Sequence, residues 1–200
     1  MKNAVFLGDP HNQIYNELKD ATEGKVTAYE SPVDLSTLNE SDPAKIISYG
    51  YQHILGEEVI RAYRSKIINL HISYLPYNRG ASPNLWSIVE GTQAGVSVHY
   101  IDEGVDTGDV ICQKKVELDW QNDSLSTSYQ KLKEEIELLC LSMLKLPEKG
   151  WHSTKQKSKG TYHSIKQTNM LLSKLKLSDG WDTKISEVVE KSMELKYRDE

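Results

Sequence analysis

Two hundred residues, with 24 Lys plus Arg against 29 Asp plus Glu and a formal net charge of −5, leave room for one well-buried domain and a short appendage. That balance argues against a dedicated nucleic-acid binder built on a basic stripe, although a local patch that handles RNA stays open. Hydrophobic residues at 38% and charged ones at 26% are ordinary for a soluble globular chain, and no apolar run approaches the roughly 18 residues of a spanning helix. Met1-Lys2-Asn3 runs into an apolar stretch too short for a signal-peptide core, so the cytoplasm is the expected location. Cys112 and Cys140 lack zinc-like spacing and read as buried thiols of a reducing compartment; no metal is expected.

In chain order, Ala4 to Leu7 reads as a buried first strand closed by Gly8-Asp9-Pro10. Gln13 to Ala21 follows as an amphipathic helix with Ile14 and Leu18 four apart. Val26 to Tyr29 and Lys45 to Tyr49 read as strands two and three, the latter stopped by Gly50. A helix is expected from about Glu57 to Arg64, then a fourth strand over Lys66 to Leu70. Pro83 opens a helix that runs to Glu90 and stops at Gly91. Val96 to Ile101 alternates apolar and polar residues and faces Val110 to Glu117 across a glycine-bearing loop, which suggests a half-buried antiparallel pair. Leu125, Tyr129, Leu132, Ile136, Leu139 and Met143 recur at steps of four and three, the core stripe of a long helix.

Strands alternating with helices favour a parallel sheet with helices on both faces, joined by short connections. The texture changes near residue 150. Residues 1–149 read as the main domain, and residues 150–200, rich in Lys and Ser, read as an appendage lying on it or partly disordered at its end.

The chemistry concentrates in Asn69-Leu70-His71-Ile72-Ser73-Tyr74-Leu75-Pro76. On an extended segment, residues two apart point the same way, so Asn69 and His71 address one volume. An amide donor beside an imidazole suits a carbonyl whose oxygen becomes an oxyanion. The second element is the loop through Gly104 and Asp106 to Thr107-Gly108, whose glycines permit close backbone approach. Asp106 there could orient the imidazole, keep it protonated, or help move a proton from an attacking amine. Taken singly, an Asn-x-His is more often a satisfied polar pair, and an Asp before Thr-Gly a turn former.

Read together, these segments resemble the folate-dependent formyltransferase family. Asn69 to Pro76 is similar to its Asn-x-His-x-Ser-Leu-Leu-Pro signature, with Tyr74 where the family usually has Leu. Gly91 to Gln113, with Gly95-Val96-Ser97-Val98-His99 and Asp106-Thr107-Gly108-Asp109, resembles the second. The resemblance implies a Rossmann-like sheet and 10-formyltetrahydrofolate as donor. Asn69 and His71 would bind the formyl oxygen, while Asp106 would interact with His71 and assist proton removal. Gly50, Tyr51, Gln52, His53, Ile54 and Leu55 would line the pterin pocket with Gly104 and Val105. Ser73, Tyr74 and Pro76 read as substrate-side residues, as do Arg79 and His11, although Arg79 reads equally as a surface arginine and His11 as a solvent-facing loop histidine.

His99 reads better as a buried structural histidine than as a catalytic one. For the acceptor, Gly8-Asp9-Pro10-His11-Asn12 is a poor phosphate cradle, against glycinamide ribonucleotide. The tail is about half the domain expected of a methionyl-tRNA enzyme, and is not notably basic. Asn78 to Trp86 looks most like the branch acting on nucleotide-linked amino sugars. Formylation of either other amine remains an alternative, as does a non-catalytic folate- or nucleotide-binding module. Pairing with a second copy of the chain stays open.

Overall fold

The run Ala4–Leu7 (β1) has all four residues buried, as a central strand of a parallel sheet requires. The computed structural model describes residues 3–147, 149 and 151–198. Helix α1 (Gln13–Ala21) starts where the Asn12 side chain accepts the Ile14 N–H at 2.8 Å, and it buries Ile14 and Leu18. After β2 (Val26–Tyr29) comes a short helix α2 (Leu35–Ser41) that periodicity alone does not reveal. Its apolar stripe is little more than Leu38, and it forms because Asp34 caps it through the Thr37 N–H. The rest of this half is β3 (Lys45–Ser48), α3 (Glu57–Ala62) and β4 (Ile67–His71).

Then follow β5 (Arg79–Gly80), α4 (Pro83–Glu90), β6 (Gly95–Tyr100), β7 (Val110–Lys115) and α5 (Leu125–Leu144). The tail carries β8 (Tyr162–His163), α6 (Ile165–Leu175), a 3-10 turn at Gly180–Asp182 and α7 (Ile185–Arg198). The start of α6 carries a readable signal: Ser164 accepts the Gln167 N–H while the Gln167 side chain takes the Ser164 N–H, a reciprocal cap.

Six strands form one sheet in the order β2-β1-β3-β4-β6-β7, and β5 pairs in parallel with β8 separately. β1 is parallel to β2 and β3, and β3 to β4, so the sheet is mostly parallel, as the alternation of elements implies. β6 is the exception. The Ile101 N–H donates to Ile67 C=O, joining the end of β6 to the start of β4. Tyr100 N–H donates to Asp109 C=O and Val116 N–H to Ala94 C=O, so β6 also runs against β7.

The expected antiparallel pair is present, but β6 is not half-buried. Residues Gly95 to His99 are all enclosed, including Ser97 and His99 at 0% and 1% exposure. Burial is tolerable because the polar atoms are engaged: Ser97 Oγ donates to Ser73 C=O and accepts the Leu75 N–H. Of this pair, β7 is the strand that opens to solvent.

The chain divides into two compact units. The first comprises Met1–His71, Val98–Cys112 and Ile136–Gln156; the second comprises Ile72–Ser97, Gln113–Glu135 and Lys157–Glu200. A core of the first unit gathers Val5, Leu7, Ile46, Ile67, Val59 and Ile60, with Leu55 and Tyr63. In the second, α4 and α6 each pack on α7, Trp86 Nε1–H donates to Thr168 Oγ1, and the Trp86 and His163 rings stack at 3.6 Å and 4°. No described helix is long and apolar enough to cross a membrane.

Candidate active site

β4 and β6 build the site from pairing geometry. With Ile101 bonded to Ile67, the residue two back in β6, His99, lies opposite the residue two on in β4, Asn69. Opposed residues of an antiparallel pair project on the same face, and Asn69 and His71 share that face by the period of two. His71, Asn69 and His99 therefore converge, with the two imidazole rings 6.1 Å apart and nearly perpendicular.

Asp106 completes the group from the loop between β6 and β7. Asn69 Nδ2 donates to Asp106 Oδ1 at 3.3 Å, and His71 Nδ1 stands 3.6 Å from Asp106 Oδ2. His99 Nε2 stands 3.4 Å from Asp106 Oδ1 and 3.3 Å from Asn69 Nδ2. The side chains of His71 and Asp106 are 9% and 14% exposed, so the carboxylate and imidazole interact under limited solvent screening yet remain reachable.

The loop is held in shape by its own polar groups. Asp102 Oδ1 accepts the Gly104 N–H at 3.1 Å and the Thr107 hydroxyl at 2.5 Å. A Cβ at Gly108 would fall inside the Tyr100 carbonyl, and one at Gly104 inside the Thr107 hydroxyl, so both positions require glycine for close approach. Asp106 itself adopts the left-handed region, at φ 53°, which aspartate tolerates better than most residues. Gln156 fastens this turn by donating its side-chain amide to Asp106 C=O and Gly108 C=O, at 2.9 and 2.8 Å. Nothing in the sequence around Gln156 signals that contact, because it spans 50 residues.

The segment after β3 is partly tied to the core and partly exposed. Gly50 takes φ 67°, and Gln52 Nε2–H donates back to its carbonyl at 3.0 Å. The Tyr51 hydroxyl donates to Ser31 C=O and accepts the Val33 N–H, and its ring meets His53 edge-on at 5.2 Å. Leu55 is buried in the core, whereas Ile54 is 95% exposed; on the other loop Val105 is 50% exposed. His11 is exposed, with its N–H on Asp9 Oδ1.

Ser73, Tyr74, Pro76 and Arg79 fall in the second unit. Ser73 Oγ donates to Tyr77 C=O, Tyr74 packs on Gly95 with Lys115 over its ring, and the Leu75–Pro76 peptide is cis. Arg79 donates to Lys159 C=O from β5. Among the described residues no group of His, Cys, Asp and Glu is placed to hold a metal ion.

An amide N–H and an imidazole on one face, with a carboxylate set against both, can hold a carbonyl oxygen that gains charge and relay a proton. The family comparison gives this arrangement its chemical class. The family model described as formyl transferase matches residues 13–143, and the chain belongs to that family.

Among solved structures, it is 37% identical to the formyltransferase PseJ from Anoxybacillus kamchatkensis, which was solved with UDP-4,6-dideoxy-4-formamido-L-AltNAc and tetrahydrofolate. That superposition covers 95% of this chain and 99% of that one, with a TM-score of 0.87, and it establishes the Rossmann-like formyltransferase fold. The chain is also 42% identical over 84 residues to phosphoribosylglycinamide formyltransferase of Bacillus subtilis (strain 168). It is 33% identical over 138 residues to methionyl-tRNA formyltransferase of Caldanaerobacter subterraneus. The matches span 43% and 44% of these two curated relatives, less than half of each.

Proposed function

We propose that the chain transfers the formyl group of 10-formyltetrahydrofolate to a primary amine carried on a nucleotide-linked amino sugar. The observation that carries the transfer chemistry is the convergence of Asn69, His71 and Asp106 at 3.3 and 3.6 Å on one partly enclosed face. Asn69 and His71 hold the formyl oxygen as it gains charge. Asp106, fixed by Gln156 and Asp102 through its loop, orients His71 and takes part in removing the proton of the attacking amine. The folate supplies the activated formyl group.

The two flanking loops suit such a donor. Ile54 and Val105 present apolar side chains to solvent, at 95% and 50% exposure. A flat heteroaromatic ring is the kind of surface that covers exposed aliphatic groups while its edge meets backbone donors and acceptors. Gly50 to Ile54, with Gly104 and Val105, form this lining, and Leu55 contributes from its core position through the backbone.

The acceptor assignment is supported by the relative matched over nearly its whole length, which was solved with a UDP-linked formamido sugar. Ser73, Tyr74, Pro76, Arg79 and His11 are the substrate-side residues of this reading. Incubation with 10-formyltetrahydrofolate and a panel of amino-sugar nucleotides, beside glycinamide ribonucleotide and methionyl-tRNA, should release tetrahydrofolate only with a sugar. Release with one of the other amines would replace the acceptor. No release with any amine, with folate still bound, would sink the enzyme reading.

A further inference from the structure

His99 is buried at 1% exposure, carries two ring nitrogens, and is left unused by the chemistry above. Its surroundings fix where its protons lie. Nδ1 stands 2.8 Å from Tyr100 C=O, an atom that can only accept, so Nδ1 carries a hydrogen. In a neutral ring Nε2 is then bare. Yet Nε2 faces Asp106 Oδ1 at 3.4 Å, and a bare nitrogen against a carboxylate oxygen places two lone pairs face to face in an enclosed site.

Asn69 stands close to both acceptors, with Nδ2 at 3.3 Å from each of Nε2 and Oδ1. An amide has two N–H groups. If Nε2 and Oδ1 each took one, Asn69 would have none left to give a formyl oxygen. The conflict disappears when one proton lies between Nε2 and Oδ1, because the imidazole and carboxyl then satisfy each other and an Asn69 N–H is released. We infer that His99 and Asp106 share a proton, and that this shared proton frees the Asn69 amide to donate to the formyl oxygen. The first half rests on geometry alone, and the second rests on the proposed formyl transfer.

His99 is thus a positioning residue that acts through Asp106 and Asn69. Tyr100 C=O anchors the ring from behind, and the β4–β6 pairing sets its level against Asn69. The pairing also explains why Asp106 can present Oδ2 to His71: Oδ1 is already engaged on its other side.

The full chain, with 15N-labelled histidine and 13C-labelled aspartate, tests the proton without any substrate. At neutral pH we expect either a protonated His99 Nε2 or a protonated Asp106 carboxyl, with the signals assigned from the His99→Gln and Asp106→Asn variants. A bare Nε2 beside an ionised Asp106 would overturn the inference, whether or not the chain formylates a sugar. Turnover supplies the second arm. His99→Leu removes the donor to Oδ1 and should lower kcat about a hundredfold with little change in the amine KM, the scale of losing one oxyanion donor. His99→Gln restores an N–H at that position and should recover to within about tenfold of the parent. Equal losses in both variants, at equal folded fraction, would make His99 merely structural. If the chain turns over no amine, the labelled spectra still decide where the proton lies.

Discussion

Each of the two units of this protein sets histidine against a carboxylate, and the contrast shows what makes such a contact chemical. In the second unit His163 Nε2 lies 3.0 Å from Glu90 Oε1, closer than either imidazole nitrogen lies to Asp106. Yet His163 is 8% exposed, lies flat against Trp86, and has no hydrogen-bond partner aligned with that nitrogen. Burial pushes its pKa below the ordinary histidine value, against the smaller opposing pull of Glu90. In the first unit the distances are longer, but an amide, two imidazoles and a carboxylate converge, on a loop pinned by Asp102 and Gln156. Proximity alone does not mark a site. Several directed polar groups sharing one volume do.

The largest expected effect follows from that convergence. Asn69→Ala or His71→Ala should lower turnover by a factor of roughly a hundred or more, as for loss of an oxyanion donor, with the melting temperature nearly unchanged. Near-parental rates in both would place the chemistry elsewhere.

A smaller effect tests the loop. Gly108→Ala forces a Cβ into the Tyr100 carbonyl, so the turn carrying Asp106 must shift. The expected cost is about 1–3 kcal/mol of stability together with a fall in kcat. Gly56→Ala is the matched control, since its Cβ would meet Glu58 Cγ at an ordinary 3.8 Å and its φ is −64°. Parallel unfolding curves for the two variants would show that the loop yields freely.

The smallest effect tests the buried pair of the second unit. The folded state resists a proton at His163 that the unfolded chain accepts near pH 6.5, so its lowered pKa contributes stability above that pH. That contribution is lost as pH falls below about 6.5. His163→Phe keeps a ring on Trp86 without a titrating group, and its melting temperature should fall less steeply than the parent's on acidification. Identical slopes in that window would assign the acid sensitivity to other groups.

Much of the fold is readable in the sequence because its signals are local. The all-apolar β1, the Ile14 and Leu18 spacing, the Pro83 start and Gly91 stop of α4, and most of the α5 stripe follow from neighbours in sequence. Tyr129 departs from that stripe: it is 51% exposed, and Ser128 beside it is the buried residue, because the period marks a face and not how far its edge is covered. Helix α2 escapes such reading because it offers a single fully buried residue and rests on the cap at Asp34. The strand pair β5 and β8 escapes it because Arg79 and Tyr162 lie far apart in the chain and share only two residues each. Alternation misjudges β6 as half-buried because it reports which residues are polar, and here the polar ones are enclosed and satisfied.

For the site, the sequence by itself determined Asn69 and His71 as neighbours on one face, through the period of an extended strand. It also determined a glycine turn at Asp106, and the family signature that joins the two segments. Only the tertiary structure decided that Asp106 reaches both Asn69 and His71, that His99 stands opposite Asn69, and that Gln156 holds the turn. The physical reason is register. With β6 enclosed on both faces, its polar–apolar pattern leaves the register open, and the Ile101–Ile67 backbone hydrogen bond marks which residues of β4 and β6 face one another.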